Sequence, residues 1–214
     1  MGYSMSGFSQ EYFEHYCYFE KDSKTPYSDK HYRDLGNRRV PEAMFLIYKR
    51  LFNRNPRTYV DIGCGTGEEM AFFLEKGCDV SGCDFSDYVL KKKNKKVAKF
   101  IKNENSLTFI KGVNKGVDIF WENTLQYLDT KDFITLMNQI KEKASNECLL
   151  GVLFDESVRE HPYRQQVHPV SWWTKTMKEY GFIKSVKLKN IFKERRYMGC
   201  SYYVFVKKKE KQDA

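Results

Sequence analysis

Val60-Asp61-Ile62-Gly63-Cys64-Gly65-Thr66-Gly67-Glu68 is the stretch on which the fold turns. Thr58–Ile62 is β-branched and aromatic, the composition of a strand. Three glycines at alternate positions follow, and then EEMAFFLEKG, a helical pattern stopped by Gly77. A strand that enters a glycine-rich turn and leaves as a helix is the start of a strand-helix-strand unit. Glycine lets such a turn adopt positive φ and lets a ligand approach where a Cβ would block it.

Working outward, the alternation continues. Asp79–Cys83 reads as a second strand, and Asp84 stands just past it. Ser86 is a good N-cap for a lysine-rich helix running to about Asn103. Ser106–Ile110 and Gly116–Phe120 read as strands, and TKDFITLMNQIKEKA as an amphipathic helix with Phe133, Leu136, Met137 and Ile140 on one stripe. Cys148–Phe154 is an apolar run of the kind buried on both faces of a sheet. A polar loop, Asp155–Pro169, leads to a helix that Ser171 can cap and Gly181 stops. FIKSVKLK and YYVFV are two last strands, antiparallel because the connection between them is short. Upstream, Pro41 opens the helical pattern PEAMFLIYKRLF, where its missing N–H costs nothing. The expected architecture is therefore α/β, with a largely parallel sheet. Residues 1–40 form an aromatic, helical N-terminal arm, with Tyr12, Tyr16, Tyr18, Tyr27 and Arg33 as its candidate inward groups, and residues 41–214 form the domain.

Composition narrows the classes. A chain of 214 residues with 16% aromatics suits one globular domain and argues against disorder. No apolar run reaches the ~18–20 residues of a membrane span. The start has no basic n-region and no apolar h-region. The six cysteines include no C-x-x-C pair and read as reduced thiols, so the expected compartment is cytoplasmic. The net charge of +9 is concentrated. Asp84–Gly116 carries nine lysines against three acids, and Phe182–Ala214 ten basic residues against three acids. Whether these sections bind a polyanion depends on whether they share a face.

The glycine turn has its own chemistry. The nicotinamide fingerprint is G-x-G-x-x-G, and a P-loop needs a G-K-[ST]. Here the spacing is G-x-G-x-G, flanked by Asp61 and Glu68, which would repel a pyrophosphate and suit a cationic ligand. Asp84 can accept hydrogen bonds from both hydroxyls of a ribose, and Phe85 offers an apolar face to an adenine. Val60–Gly67 resembles motif I of the class I, Rossmann-like S-adenosylmethionine-dependent methyltransferases, whose pattern is close to V-L-D-[IV]-G-C-G-T-G. Asp84 resembles that family's acid after the second strand. Asp118–Trp121 resembles its F-D-L-V-W stretch, and Leu125–Leu128 its L-x-x-L. The similarity extends over roughly Pro41 to Lys208.

The resemblance implies a three-layer Rossmann-like fold with a seven-stranded sheet and an antiparallel last strand. It also implies S-adenosyl-L-methionine as cofactor, with S-adenosyl-L-homocysteine as product. Gly63, Cys64, Gly65 and Gly67 would wrap the ribose and methionine part, and Asp61 would hold the ammonium side. Asp84 would hold the ribose, Phe85 would cover the adenine, and Trp121 and Glu122 would line the sulfonium. One departure stands out. Lys111–Asn114, placed after the expected third strand, lacks the family's adenine-reading acid.

For proton removal from the acceptor, Glu122, His161 and Tyr163 are the candidates. No metal site is expected. No [DNS]-P-P-[YF] follows the fourth strand and no Pro-Cys pair supplies a cytosine-attacking thiol. A small molecule, or a small group borne on a sugar or peptide, is the expected acceptor. RNA gripped by the basic sections, or cofactor binding without transfer in a partner subunit, are the alternatives.

Overall fold

The computed structural model describes residues 39–155, 164–187 and 200–208. Its centre is a seven-stranded sheet: β1 (Thr58–Ile62), β2 (Asp79–Asp84), β3 (Ile101–Asn103), β4 (Val117–Glu122), β5 (Ala144–Asp155), β6 (Lys184–Lys187) and β7 (Cys200–Lys208). The spatial order is β3-β2-β1-β4-β5-β7-β6. β1 to β5 pair in parallel, and β7 runs antiparallel to both β5 and β6. The expected class and the antiparallel ending are therefore what the chain adopts.

Alternation along the strands sorts the side chains into two layers. Tyr59, Ile119, Trp121, Leu149, Val204 and Val206 pack with α1 (Arg39–Phe52) and α2 (Glu68–Glu75). Val60, Ile62, Phe120, Leu150, Val152 and Phe205 face α4 (Ser106–Lys111), α5 (Thr130–Lys143) and α6 (Val170–Glu179). α1 begins at Arg39, which places Pro41 in its first turn, where an N–H has no helical acceptor.

Two expected elements are replaced. The lysine-rich helix is only a four-residue α3 (Asp87–Leu90), although Ser86 caps it as expected, accepting from Val89 N at 3.5 Å. The chain then turns because Asn94 N donates to Thr66 O at 2.9 Å, tying the KKKNKK segment to the glycine turn. A 3-10 turn, Ala98–Phe100, leads into β3. Ser106–Ile110, expected as a strand, is instead the body of α4. Asn105 caps that helix, its Oδ1 accepting from Thr108 N at 2.8 Å. Ser171 does not cap α6, whose N-cap position is Pro169.

At the amino-terminal end of the strands, Asp118 ties α1 to the sheet. It accepts from Tyr48 Oη at 2.9 Å, Arg54 Nη2 at 2.8 Å and Arg57 N at 2.7 Å. The guanidinium and these donors hold its carboxyl below the ordinary range despite burial. Asp118 is thus a structural member at the end of the sheet away from the glycine turn.

Candidate active site

The carboxyl ends of β1, β2 and β4 lie side by side, in register Ile62↔Cys83 and Ile62↔Glu122. Every sequence-expected cofactor residue within β1, β2, β4 and their following turns therefore gathers at one edge. The turn after β1 is built from backbone bonds: Gly63 N and Cys64 N both donate to Cys83 O at 2.9 Å, and Gly67 N donates to Cys64 O at 2.9 Å.

Gly65 and Gly67 need glycine for different reasons. Both have positive φ, +55° and +82°. A Cβ on Gly67 would lie 2.7 Å from Ile101 Cδ1 and 2.8 Å from Val97 Cγ2, so this glycine serves packing. A Cβ on Gly65 would meet nothing nearer than Val89 Cγ1 at 3.8 Å. Among the described residues Gly65 therefore borders open space, and its N–H donates to Asp84 Oδ2 at 3.0 Å. Asp84 Oδ1 accepts from Ser86 N at 2.9 Å. The Phe85 backbone bonds the same carboxylate, so of its roughly four lone-pair sites about one stays open to an incoming hydroxyl. Burial raises the Asp84 carboxyl, while the backbone donors pull it back.

Asp61 is fully buried (0% exposed). Its Oδ2 accepts from Tyr59 Oη at 3.1 Å, and its Oδ1 has no partner among the described residues. A buried carboxylate oxygen left unpaired is costly, so a donor is expected there. Burial first, then the Glu69 charge, push the Asp61 carboxyl well up, and the Asp84 and Glu122 charges add to this. Cys64 is buried and its thiol is likewise pushed up by burial, which suits a filler rather than a nucleophile.

Glu122 is also 0% exposed. Its oxygens accept from Thr124 N at 2.7 Å, Leu125 N at 2.8 Å and, closely, the Thr124 hydroxyl. They hold the loop that faces Gly63, where Asn123 N also donates to Ile62 O at 3.0 Å. Burial raises the Glu122 carboxyl to about 7. The Trp121 ring is buried on the α1 side, where a Cβ on Gly151 would strike it at 2.2 Å, so only its backbone borders the strand ends. His161 and Tyr163 lie outside the described residues, as do residues 1–38 of the N-terminal arm, whose last two expected residues, Arg39 and Val40, instead begin α1. His168 stacks on Trp172 at 3.7 Å and bonds Gln166 at 3.0 Å, a packing role.

Sequence reasoning missed three residues. Glu69, in the first turn of α2, presses its charge on Asp61, and burial raises its own carboxyl to about 7. Asn94 pairs through Nδ2 with Glu68 Oε2 at 3.0 Å, locking the lysine segment to the turn; the asparagine interrupting the lysines was its signal. Glu104, half-buried, directly follows the true β3, so an acid does stand there once the strand is correctly placed. The departure at Lys111–Asn114 belongs to the misassigned strand.

The described parts of the basic sections do not converge. Lys91–Lys102 lies by β2 and β3 at one edge of the sheet. The described part of the C-terminal section, β6 and β7, forms the other, six strand spacings or roughly 29 Å away.

Residues 36–195 match the family model described as a methyltransferase domain. The chain belongs to this family. No curated protein sequence matches it. The fold is that of the class I S-adenosylmethionine-dependent methyltransferases, as solved structures bear out. Plantazolicin methyltransferase BpumL, in complex with a monoazolic desmethylPZN analog and SAH, is 16% identical at TM-score 0.62, covering 96% of this methyltransferase and 95% of that chain. The Burkholderia thailandensis 1,6-didemethyltoxoflavin-N1-methyltransferase is 16% identical at TM-score 0.59, covering 84% and 81%. Magnesium protoporphyrin IX methyltransferase from Synechocystis is 14% identical at TM-score 0.58, covering 79% and 82%. Against a longer structure from Nostoc punctiforme, at TM-score 0.58, this chain spans 56% of the length. No helix among the described residues is long and apolar enough to cross a membrane.

Proposed function

We propose that this methyltransferase moves a methyl group from S-adenosylmethionine to an oxygen or nitrogen of a small molecule, or of a small group borne on a sugar or peptide. The observation that carries the reading is the pairing of an open Gly65, fixed by Asp84, with the unpartnered buried Oδ1 of Asp61. The cofactor's cationic and polyol character fits both. Asp61 would hold the ammonium, Asp84 the ribose hydroxyls, Phe85 the adenine face and Glu104 the adenine amino group. Gly63, Cys64, Gly65 and Gly67 would form the wall of the ribose and methionine part, and the Trp121 backbone and Glu122 would border the sulfur.

S-adenosylmethionine supplies, when bound, a methyl group already activated for in-line displacement. What this chain adds is alignment and exclusion of water, a contribution of up to roughly 7–11 kcal/mol. Glu122 holds the loop after β4 with three accepted hydrogen bonds, which suits shaping the acceptor side better than taking its proton. A base would then come from the Asp155–Pro169 connection, where His161 and Tyr163 stand.

The separation of the described parts of the basic sections favours a small acceptor over RNA. The complexes of similar proteins with a monoazolic desmethylPZN analog and with 1,6-didemethyltoxoflavin point the same way. Transfer of a labelled methyl group to a panel of small amines, phenols and azole peptides tests the reading. Labelling of RNA alone would overturn the acceptor class.

A further inference from the structure

The glycine turn is braced from two sides. From β2, Cys83 O accepts from Gly63 N and Cys64 N, and Asp84 Oδ2 accepts from Gly65 N. From the other side comes Asn94, 26 positions along the chain from Glu68. Its N–H donates to Thr66 O at 2.9 Å and its Nδ2 donates to Glu68 Oε2 at 3.0 Å, so it straddles Gly67. Its other two polar groups close its own turn: Oδ1 accepts from Lys96 N at 3.0 Å, and the carbonyl accepts from Val97 N at 3.1 Å. The amide fits one way round, with its oxygen to the Lys96 N–H and its nitrogen to the carboxylate. Val97 and Ile101, a few residues on, take the space where a Gly67 Cβ would stand. The Thr66–Gly67 peptide is thus held at both ends, its carbonyl by Asn94 and its N–H by Cys64 O at 2.9 Å.

We infer that Asn94 is a positioning residue for the cofactor, acting through the Thr66–Gly67 peptide and Glu68 at the start of α2 rather than on the ligand itself. This rests on the S-adenosylmethionine reading above. A turn with glycines at φ +55° and +82° has many conformations open to it, and fixing one beforehand removes an ordering cost from binding. The surrounding charge opposes the brace. Lys91, Lys92, Lys93, Lys95 and Lys96 flank Asn94, and like charges favour an extended segment. Lys96 is offset by Glu75 at 2.7 Å, but the fold-back against the turn leans on Asn94. Its residue type matters as well. Glu68 needs a donor, and an aspartate at position 94 would set one carboxylate against another while still accepting from Lys96 N.

The test is titration calorimetry of S-adenosylhomocysteine into the full chain near neutral pH, with melting curves to confirm that each variant is folded at the assay temperature. Asn94→Asp should bind about tenfold more weakly than the parent. Adding Glu68→Gln restores the bond with donor and acceptor exchanged, so the double variant should return to within about threefold of Glu68→Gln alone. Asn94→Ala should weaken binding by about three- to tenfold, while Lys95→Ala, next to it and exposed, should leave binding unchanged. If Asn94→Asp does not fold, the contrast between Asn94→Ala and Lys95→Ala carries the test. A residue that only stabilises the fold would lower the melting temperature and leave the affinity of the folded protein unchanged. Parent affinity in the Asn94 variants, or no rescue in the double variant, overturns the positioning role and leaves the cofactor reading intact. Failure of the parent chain to bind removes the cofactor reading, and the positioning role with it.

Discussion

Substituting Gly65 separates the fold's needs from the ligand's. Gly65→Ala and Gly65→Arg suffer the same backbone penalty, because φ is +55° and any Cβ disfavours that region by ~1–2 kcal/mol. Among the described residues neither meets a steric penalty at Cβ, since the nearest atom would be Val89 Cγ1 at 3.8 Å. For a chain of this size ~1 kcal/mol moves the melting temperature by ~2–4 °C, so both variants should melt ~2–8 °C below the parent and close to each other. Their ligand behaviour should diverge. Alanine adds one methyl at the rim of the open space, whereas arginine fills it with a long side chain. Calorimetry with S-adenosylhomocysteine should show a modest weakening for Gly65→Ala. For Gly65→Arg the loss should be 100-fold or more, about 2.7 kcal/mol. Equal affinity in the two variants would show that the space beside Gly65 is not where the ligand lies. A folded Gly65→Ala beside an unfolded Gly65→Arg would show that the space is filled by the protein itself.

Gly67→Ala should behave oppositely. The clash with Ile101 and Val97 adds to the left-handed penalty, for a loss of roughly 2–5 kcal/mol in chemical denaturation. Glu122 makes stability depend on pH. Its folded value of about 7 lies above the ordinary 4.5, so the folded state holds the proton more tightly, and stability falls as pH rises from 4.5 through 7. The difference is about 3 kcal/mol, and Glu122→Gln should flatten that slope in melts between pH 5 and 8. Tyr48→Phe removes a donor to Asp118 and should cost ~1.5–3 kcal/mol of stability with cofactor affinity unchanged, because the pair lies at the far end of the sheet. Turnover on a neutral small acceptor should vary little between 50 and 200 mM salt, whereas an RNA acceptor would weaken steeply.

The fold was legible where local chemistry and tertiary packing agree. β1, the glycine turn and α2 were readable because the alternation, the glycines and the helix stop all fall within twenty residues. β5 was readable as an uninterrupted apolar run. The reading failed between Lys91 and Ile110. SLTFI carries β-branched and aromatic residues, yet Asn105 caps it into a helix that buries Phe109 and Ile110. The lysine run has helical propensity, yet Asn94 bonds the glycine turn and draws Val97 and Ile101 beneath Gly67. The Asn94 bond is a long-range contact that a local pattern does not carry, whereas the Asn105 cap is local, three residues from Thr108, and outweighs the strand composition of SLTFI. The same displacement hid Glu104 as the residue after β3. Glu69 was hidden differently: two glutamates open α2, and a local pattern does not tell their surroundings apart.

The account rests on a cofactor held between Asp61, Gly65 and Asp84. Calorimetry of S-adenosylhomocysteine against the parent chain and Asp84→Ala, with melting curves to confirm folding, tests it most directly. The predicted result is saturable binding at one site per chain, lost or weakened at least about tenfold in a folded Asp84→Ala, the equivalent of one charge-assisted hydrogen bond. No binding by the parent chain, or equal affinity in the variant, would contradict it.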